Sequence, residues 1–265
     1  MSRLWSKSVR LHVGPHAVCG RLEPSWLGTL WSTVAGGGTN ELPVQRADTT
    51  ELRSDPSNET LARAVDAVLQ QIASTASVQR RRLHVELADA LVHLDVVAGD
   101  FAGDSERQLQ AVAVACVSEL LGDAADEREV RWQLQADGKH LLIGAIDRAQ
   151  LGVLADAAAR HGLSMGSVQP DFCLQWNRHA GAVRRGAAVF AVADGHDAVV
   201  ACVANGAVAA LSRGAGGLDK LVDRLLASIG LEATDVATFV LVNQTASDKP
   251  VSPRWTVLNP EARPQ

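Results

Sequence analysis

Two short loops carry residue types that could hold a charged ligand. One is the run 194–197 (Asp-Gly-His-Asp), which places two carboxylates within four residues. Such a pair could coordinate a cation, but without a metal it would repel a di- or triphosphate. The run is also a strong tight-turn signal between two apolar segments, so a plain hairpin turn is the simpler interpretation. The other loop, 214–217, precedes a helical pattern and could either present N–H groups to an anion or allow close backbone approach.

Other signatures of chemistry are weak. Eight histidines occur, but none forms an HxxxH pair on a predicted helix or a recognisable cluster with carboxylates, so we expect no metal site. No G-x-S-x-G motif is present, and the glycines at 36–38 are not followed by the lysine of a phosphate-binding loop. The chain has no Tyr and only 4% aromatic residues, which excludes a catalytic tyrosine and argues against base stacking on single-stranded nucleic acid.

The chain has 265 residues, a formal net charge of −5 and 47% hydrophobic residues. This composition is typical of a globular protein. The net acidity argues against a general nucleic-acid binder. The four cysteines are widely spaced, and we expect them to be buried, reduced thiols in a reducing compartment. We find no signal peptide and no run approaching the ~20 apolar residues that span a bilayer, so a cytoplasmic protein is expected.

The pattern of elements repeats along the chain. Alternation and turn signals predict a hairpin over 9–22 and a third strand at 42–46, and apolar spacing then predicts a helix over 59–74 capped by Asn58. Strands, two further helices and a hairpin around Asp137-Gly138 follow. From 187, three short strands again precede a helix (218–229) and a strand (237–242). The proline-containing tail, 244–265, is expected to be irregular.

Four stretches, taken in order and spacing, carry a resemblance to one family. They are Arg82–Leu87 with Leu91–Leu94, Leu141–Arg148, Val168–Asp171, and Asn205-Gly206 through Ser212-Arg213 to Gly216-Gly217. Together with the repeated plan, they resemble the PilM proteins of type IV pilus assembly and the cytoplasmic half of GspL from type II secretion, which have the actin-like ATPase fold.

The resemblance implies an α/β protein with that actin-like, ribonuclease-H-like fold. It would have two related subdomains, with a small α+β subdomain inserted in the N-terminal one. The predicted boundaries are 1–81 for the first half of the N-terminal subdomain, 82–146 for the insertion, 147–186 for the completion of the N-terminal subdomain, 187–243 for a truncated second subdomain and 244–265 for the tail.

The same resemblance assigns the remains of a nucleotide site, which we expect to be vestigial. Its residues would be Gly14, Asp194, Gly195, Gly216 and Gly217. The first phosphate loop departs from the family pattern, because His12 replaces its acidic residue and Pro15 and His16 replace its small hydroxyl residues. Proline also lacks the N–H that cradles a phosphate. We therefore expect no cofactor and no ATP hydrolysis.

The resemblance further implies a cytoplasmic scaffold at the inner membrane. It would bind the cytoplasmic tail of a bitopic membrane protein of the PilN or GspM type, and an assembly ATPase is a further candidate partner. Two alternatives stay open: an active actin- or sugar-kinase-like ATPase that binds Mg-ATP, and an acidic interaction domain of unrelated α+β fold. Trp5, Trp26 and Trp31 are interpreted as core residues rather than partner anchors.

Overall fold

The computed structural model describes most of the chain in separate stretches. These are residues 8–23, 45–46, 57–75, 78, 80–183, 186–194, 197–215, 217–236, 238–243 and 252–258. They form two compact units, of which the first contains Met1–Leu91 with Asp147–Pro170 and the second Val92–Ile146 with Asp171–Gln265. Trp5, Trp26, Trp31 and most of the predicted third strand lie outside the described residues.

The first unit is built on a five-stranded sheet. Its strands are β1 (Ser8–Val13), β2 (Val18–Glu23), β3 (Gln45–Arg46), β4 (Arg82–Leu87) and β8 (Ser164–Pro170). They lie in the order β3-β2-β1-β4-β8. Strands β1 to β3 form an antiparallel meander, and β4 and β8 continue the sheet in parallel with β1.

One face of this sheet is apolar because its strands alternate. In β1, Val9, Leu11 and Val13 are fully buried while the residues between them are half-buried. Helix α1 (Asn58–Thr75) lies close to β2 at Gly20, where an added Cβ would stand 2.6 Å from Cγ1 of Val68. Helix α3 (Arg148–Arg160) packs beside α1.

Helix starts follow the sequence signals with one correction. Asp147 has the carboxylate that is typical of an N-cap, and it caps α3 by accepting a hydrogen bond from the N–H of Ala149 at 2.7 Å. The cap of α1 is Ser57 rather than Asn58, because the N–H of Thr60 donates to its hydroxyl at 3.3 Å and Asn58 is already helical.

The second unit repeats the same sheet plan in the order β11-β10-β9-β12-β13. Strands β9 to β11 are again an antiparallel meander, and β12 and β13 again extend it in parallel with β9. These strands are β9 (Ala187–Ala193), β10 (Asp197–Ala204), β11 (Ala207–Ala215), β12 (Thr238–Asn243) and β13 (Trp255–Leu258).

Unlike the first sheet, the second is apolar on both faces. Val189 and Ala191 of β9 pack in a core with helix α5 (Leu218–Ser228). Phe190 and Val192 belong to the core on the other face, which includes Phe172 and Trp176 of helix α4 (Asp171–His179). This explains the continuous apolar sequence of β9, which is typical of a strand covered on both sides.

The second unit also contains the inserted subdomain, a three-stranded sheet of order β5-β7-β6 with one long helix. Its elements are β5 (Val92–Ala98), α2 (Glu106–Leu121), β6 (Arg128–Leu134) and β7 (His140–Asp147). Leu109, Ala113 and Val117 of α2 cover one face of the sheet, and Leu94 and Val96 of β5 pack against the α4 side of the second sheet.

Gln135 joins the inserted subdomain to the second sheet. Its side chain is buried, and its Oε1 accepts a hydrogen bond from the N–H of Val208 at 3.3 Å.

We expect Gln135→Met to lower the free energy of unfolding by about 1–3 kcal/mol, because the buried N–H of Val208 would lose its partner. Urea denaturation followed by circular dichroism measures this change. The control Gln133→Met, at an exposed neighbour, should change stability by less than about 0.5 kcal/mol, and equal effects of the two variants would contradict this role of Gln135.

Three predicted boundaries require correction. The insertion begins at Val92 rather than at 82, because β4 pairs with β1 and β8 in the first sheet. The first unit ends at Pro170 rather than at 186, since Phe172 and Trp176 pack on β9. The tail is not wholly irregular, and the second sheet is not truncated in strand number, because β13 pairs with β12.

Candidate functional site

The candidate nucleotide-binding residues lie at equivalent places in the repeated plan. In each sheet the first hairpin loop, β1–β2 or β9–β10, follows the central strand, and in the second unit the 214–217 loop leads into α5. Gly195 and Gly216 lie outside the described residues. The structure therefore describes the surroundings of Gly14, Asp194 and Gly217.

The β1–β2 loop is a turn closed by a backbone hydrogen bond of its own. The N–H of Gly14 donates to the carbonyl of Ala17 at 2.7 Å, and the next residue, Pro15, has no N–H to offer. Gly14 has no left-handed φ, and an added Cβ would meet its nearest neighbour at 3.4 Å, an ordinary contact. Neither the backbone conformation nor the space around Gly14 therefore requires a glycine. A loop whose backbone closely approaches a phosphate would require one.

His12 lies within β1 rather than in the loop. It pairs with Cys19 across the hairpin and with Glu86 across the parallel ladder. The resemblance assigns an acidic residue to this strand position, and in this chain the position carries an imidazole.

The two carboxylates of the β9–β10 loop are held by groups of the same unit. Oδ1 of Asp194 accepts a hydrogen bond from the N–H of Asp197 at 2.9 Å, and the N–H of Asp194 donates back to the carbonyl of Asp197 at 3.1 Å. Oδ2 of Asp197 accepts from Nε of Arg213 at 2.6 Å. The carboxylates therefore stabilise a hairpin turn, in agreement with the simpler interpretation.

The N-terminus of α5 already carries an anionic side chain. Gly217 is its N-cap, with φ −72° and ψ 122°. Asp219 in the first turn accepts hydrogen bonds on Oδ1 from Nε of Arg254 at 2.8 Å and from Nε1 of Trp255 at 3.0 Å. The favourable position for an anion near the helix start is thus occupied by a carboxylate of the protein.

The polar face of the first sheet holds a group of charges that the sequence analysis did not identify. Nε of Arg10 on β1 lies 2.6 Å from Oε1 of Glu23 on β2, and its Nη1 donates to Glu86 on β4. Burial disfavours the charged guanidinium, but the attraction of Glu86 and Glu23 outweighs it and raises the pKa of Arg10. The alternating sequence of the strands does contain a sign of this group, because charged residues occupy half-buried positions in the three neighbouring strands β1, β2 and β4.

His84 lies on the same face and is fixed by two contacts. Its Nδ1 is 2.9 Å from the hydroxyl of Ser167 on β8. Its ring also lies against Gly166, where an added Cβ would stand 2.8 Å from Cε1 of His84. His84 and the ion pairs of Arg10 therefore lie on the same half-buried face of the first sheet.

Two of the four cysteines have thiols with a raised pKa. Burial raises the pKa of Cys202, and burial together with Asp95 and Glu119 raises that of Cys116. Both thiols are therefore poor nucleophiles at neutral pH.

Comparison with known proteins identifies the fold. No family model matches the sequence, and no curated protein matches it either. Among solved structures, the PilM-PilN type IV pilus biogenesis complex contains a chain that aligns with a TM-score of 0.62 at 9% identity, covering 96% of this chain and 88% of that one.

Two further structures agree. The cytoplasmic domain of EpsL, an inner membrane component of the type II secretion system of Vibrio cholerae, aligns with a TM-score of 0.58 at 11% identity over 96% of this chain and 90% of that one. A Bacteroides thetaiotaomicron protein of actin-like ATPase fold and unknown function gives 0.54 at 10% identity, over 94% and 87%. The chain thus has the actin-like ATPase fold, and the predicted resemblance to the pilus and secretion proteins is confirmed at the level of the fold.

Proposed function

We propose that the protein is a non-catalytic cytoplasmic scaffold in the inner-membrane assembly platform of a type IV pilus or type II secretion system. The observation that supports this most is the use of the candidate phosphate-binding groups by the protein itself. The N–H of Gly14, the carboxylates of Asp194 and Asp197, and the first turn of α5 at Asp219 all have partners in their own unit.

A phosphate would have to displace these contacts without gaining donors. The β1–β2 loop has a proline where a donor is needed, and the β9–β10 loop would oppose phosphate oxygens with carboxylates. The proposal is that the protein keeps the fold without its phosphate chemistry, since one fold can carry different functions.

The proposed partner is the short cytoplasmic tail of a bitopic inner-membrane protein of the PilN or GspM type, with an assembly ATPase as a further partner. One fact supports the choice: a PilM-PilN complex is among the structures with this fold. Among the described residues, no helix is both long and apolar enough to cross a bilayer.

The competing function is an active ATPase, which the fold itself and the retained Asp194-Gly195 pair favour. In that case Asp194 would orient Mg²⁺ and Gly217 would approach a phosphate. Both functions predict a stable protein of this fold, so they differ in what the protein binds and in whether it hydrolyses ATP.

Binding of the partner tail tests the proposal. The cytoplasmic tail of a bitopic membrane protein encoded beside this chain would be synthesised and titrated by fluorescence anisotropy, with a scrambled tail as control. We expect saturable binding of the native tail alone. Equal binding of native and scrambled tails, or no binding, would contradict the proposed partner.

A further inference from the structure

The outward face of α2 in the inserted subdomain carries no charge along its central turns. Ala111, Val114, Ala115 and Ser118 follow the i, i+3, i+4, i+7 spacing and are all exposed, with Val114 at 42%. From 108 to 118 the sequence contains no charged residue. The opposite face is the one that packs on the sheet.

This pattern is unusual for a helix in contact with water. The outward positions of α5, in the same unit, carry Lys220, Asp223 and Arg224. A helix that is apolar or uncharged all round is normally covered on both sides. In α2 the outward residues are also small, which allows the backbone of a second helix to come close.

The charge around this face is one-sided. Residues 92–146 contain ten acidic and four basic side chains, a surplus of six acidic groups, while the whole chain has a net charge of −5. The inserted subdomain thus carries all of the net negative charge. At the start of the helix exposed Glu106 and Arg107 offset each other, whereas the other end carries the exposed acidic residues Glu119, Asp123 and Glu127.

We propose that the outward face of α2 is a docking surface for a basic amphipathic helix of a partner protein. Its apolar stripe would cover Ala111, Val114 and Ala115, and its Lys or Arg residues would meet the acidic groups at the C-terminal end of α2. A second copy of the chain would bring two acidic subdomains together, and an anionic membrane would repel this surface. This proposal depends neither on the binding of the partner tail nor on the absence of nucleotide binding.

The test uses a labelled Leu/Lys peptide as long as α2, designed as an amphipathic helix. Its control is a scrambled peptide of the same composition, which keeps the charge but loses the apolar stripe. Anisotropy titrations would compare the wild-type protein with Ala115→Glu and with the matched control Ala227→Glu on the outward face of α5. The variant Ser118→Glu repeats the test on the same face if Ala115→Glu melts at a lower temperature than the wild type.

The substitution separates an apolar contact from simple charge attraction. A negative charge at 115 would strengthen a purely electrostatic complex, but it would weaken a docked apolar stripe by about tenfold or more, because the charge would be desolvated. We expect the amphipathic peptide to bind more tightly than the scrambled one, with Ala115→Glu losing that preference and Ala227→Glu keeping it.

Three results would overturn the proposal. Equal affinity for the two peptides, or tighter binding by Ala115→Glu, would show that only charge is recognised. A wild-type dimer that dissociates on Ala115→Glu would show that the face is covered by a second copy of the chain.

Discussion

Replacing Trp255 by Ala is expected to lower the free energy of unfolding by about 3–5 kcal/mol, as for other buried tryptophans. Trp255 is 7% exposed, packs edge-on against Phe239 with ring centroids 5.4 Å apart, and donates its indole N–H to Asp219. The substitution would remove the side chain that holds β13 to both β12 and α5. Urea denaturation followed by far-UV circular dichroism measures the loss.

A matched variant separates packing from the hydrogen bond. Trp255→Phe keeps an aromatic ring beside Phe239 but removes the donor to Asp219, so we expect a smaller loss of about 1–2 kcal/mol. A change below about 1 kcal/mol for Trp255→Ala is the size expected of a surface substitution, and would mean that residues 252–258 do not pack on the second sheet.

Replacing Phe172 by Ala should have an effect of the same size, about 3–5 kcal/mol. Phe172 in α4 is fully buried and meets Phe190 of β9 edge-on, with centroids 5.8 Å apart. Removing its ring would leave a cavity between α4 and the second sheet, and denaturation with urea again provides the measurement.

The comparison with Phe172→Leu shows whether the site is a packed core. Leucine refills much of the volume, so its loss should be less than half that of alanine. If both substitutions were neutral, α4 would not belong to the core of the second unit, and the corrected boundary at Pro170 would be wrong.

Most elements could be predicted from local patterns, because strand alternation, helix spacing and turn residues are encoded within a few positions. The hairpin around Asp137-Gly138 is one example, with Gly138 at a φ of 68° as that turn requires. The capping box of Ser105 and Gln108 at the start of α2 is another.

Strand partners could not be predicted in the same way. β4 and β5 both alternate and lie four residues apart, which looks like one local pair, but β4 joins the first sheet and β5 the inserted one. Alternation shows that a segment is a strand and gives its buried face, and the partner is fixed by contacts distant in sequence. β13 was missed for the same reason: four residues within a proline-containing tail give little pattern, and the strand depends on Arg254 and Trp255 reaching Asp219.

Only some features of the candidate site can be predicted from the sequence. The missing N–H at Pro15 in the β1–β2 loop is one, because proline has no N–H whatever the fold. The pairing of Asp197 with Arg213 could not be predicted, since it depends on the antiparallel β10–β11 pair, where Val199 rather than Asp197 lies opposite Arg213. The Arg10, Glu23 and Glu86 group was missed because it requires the parallel pairing of β1 with β4.

Titration of the full chain with Mg-ATP in a calorimeter tests the central claim most directly. The protein would first be shown to melt cooperatively, and an actin-like ATPase would be titrated under the same conditions as a positive control. Because Gly14, Asp194, Asp197 and Asp219 use their polar groups within the protein, the account predicts no saturable heat up to millimolar nucleotide. Saturable binding with a micromolar Kd would contradict it and would favour the ATPase.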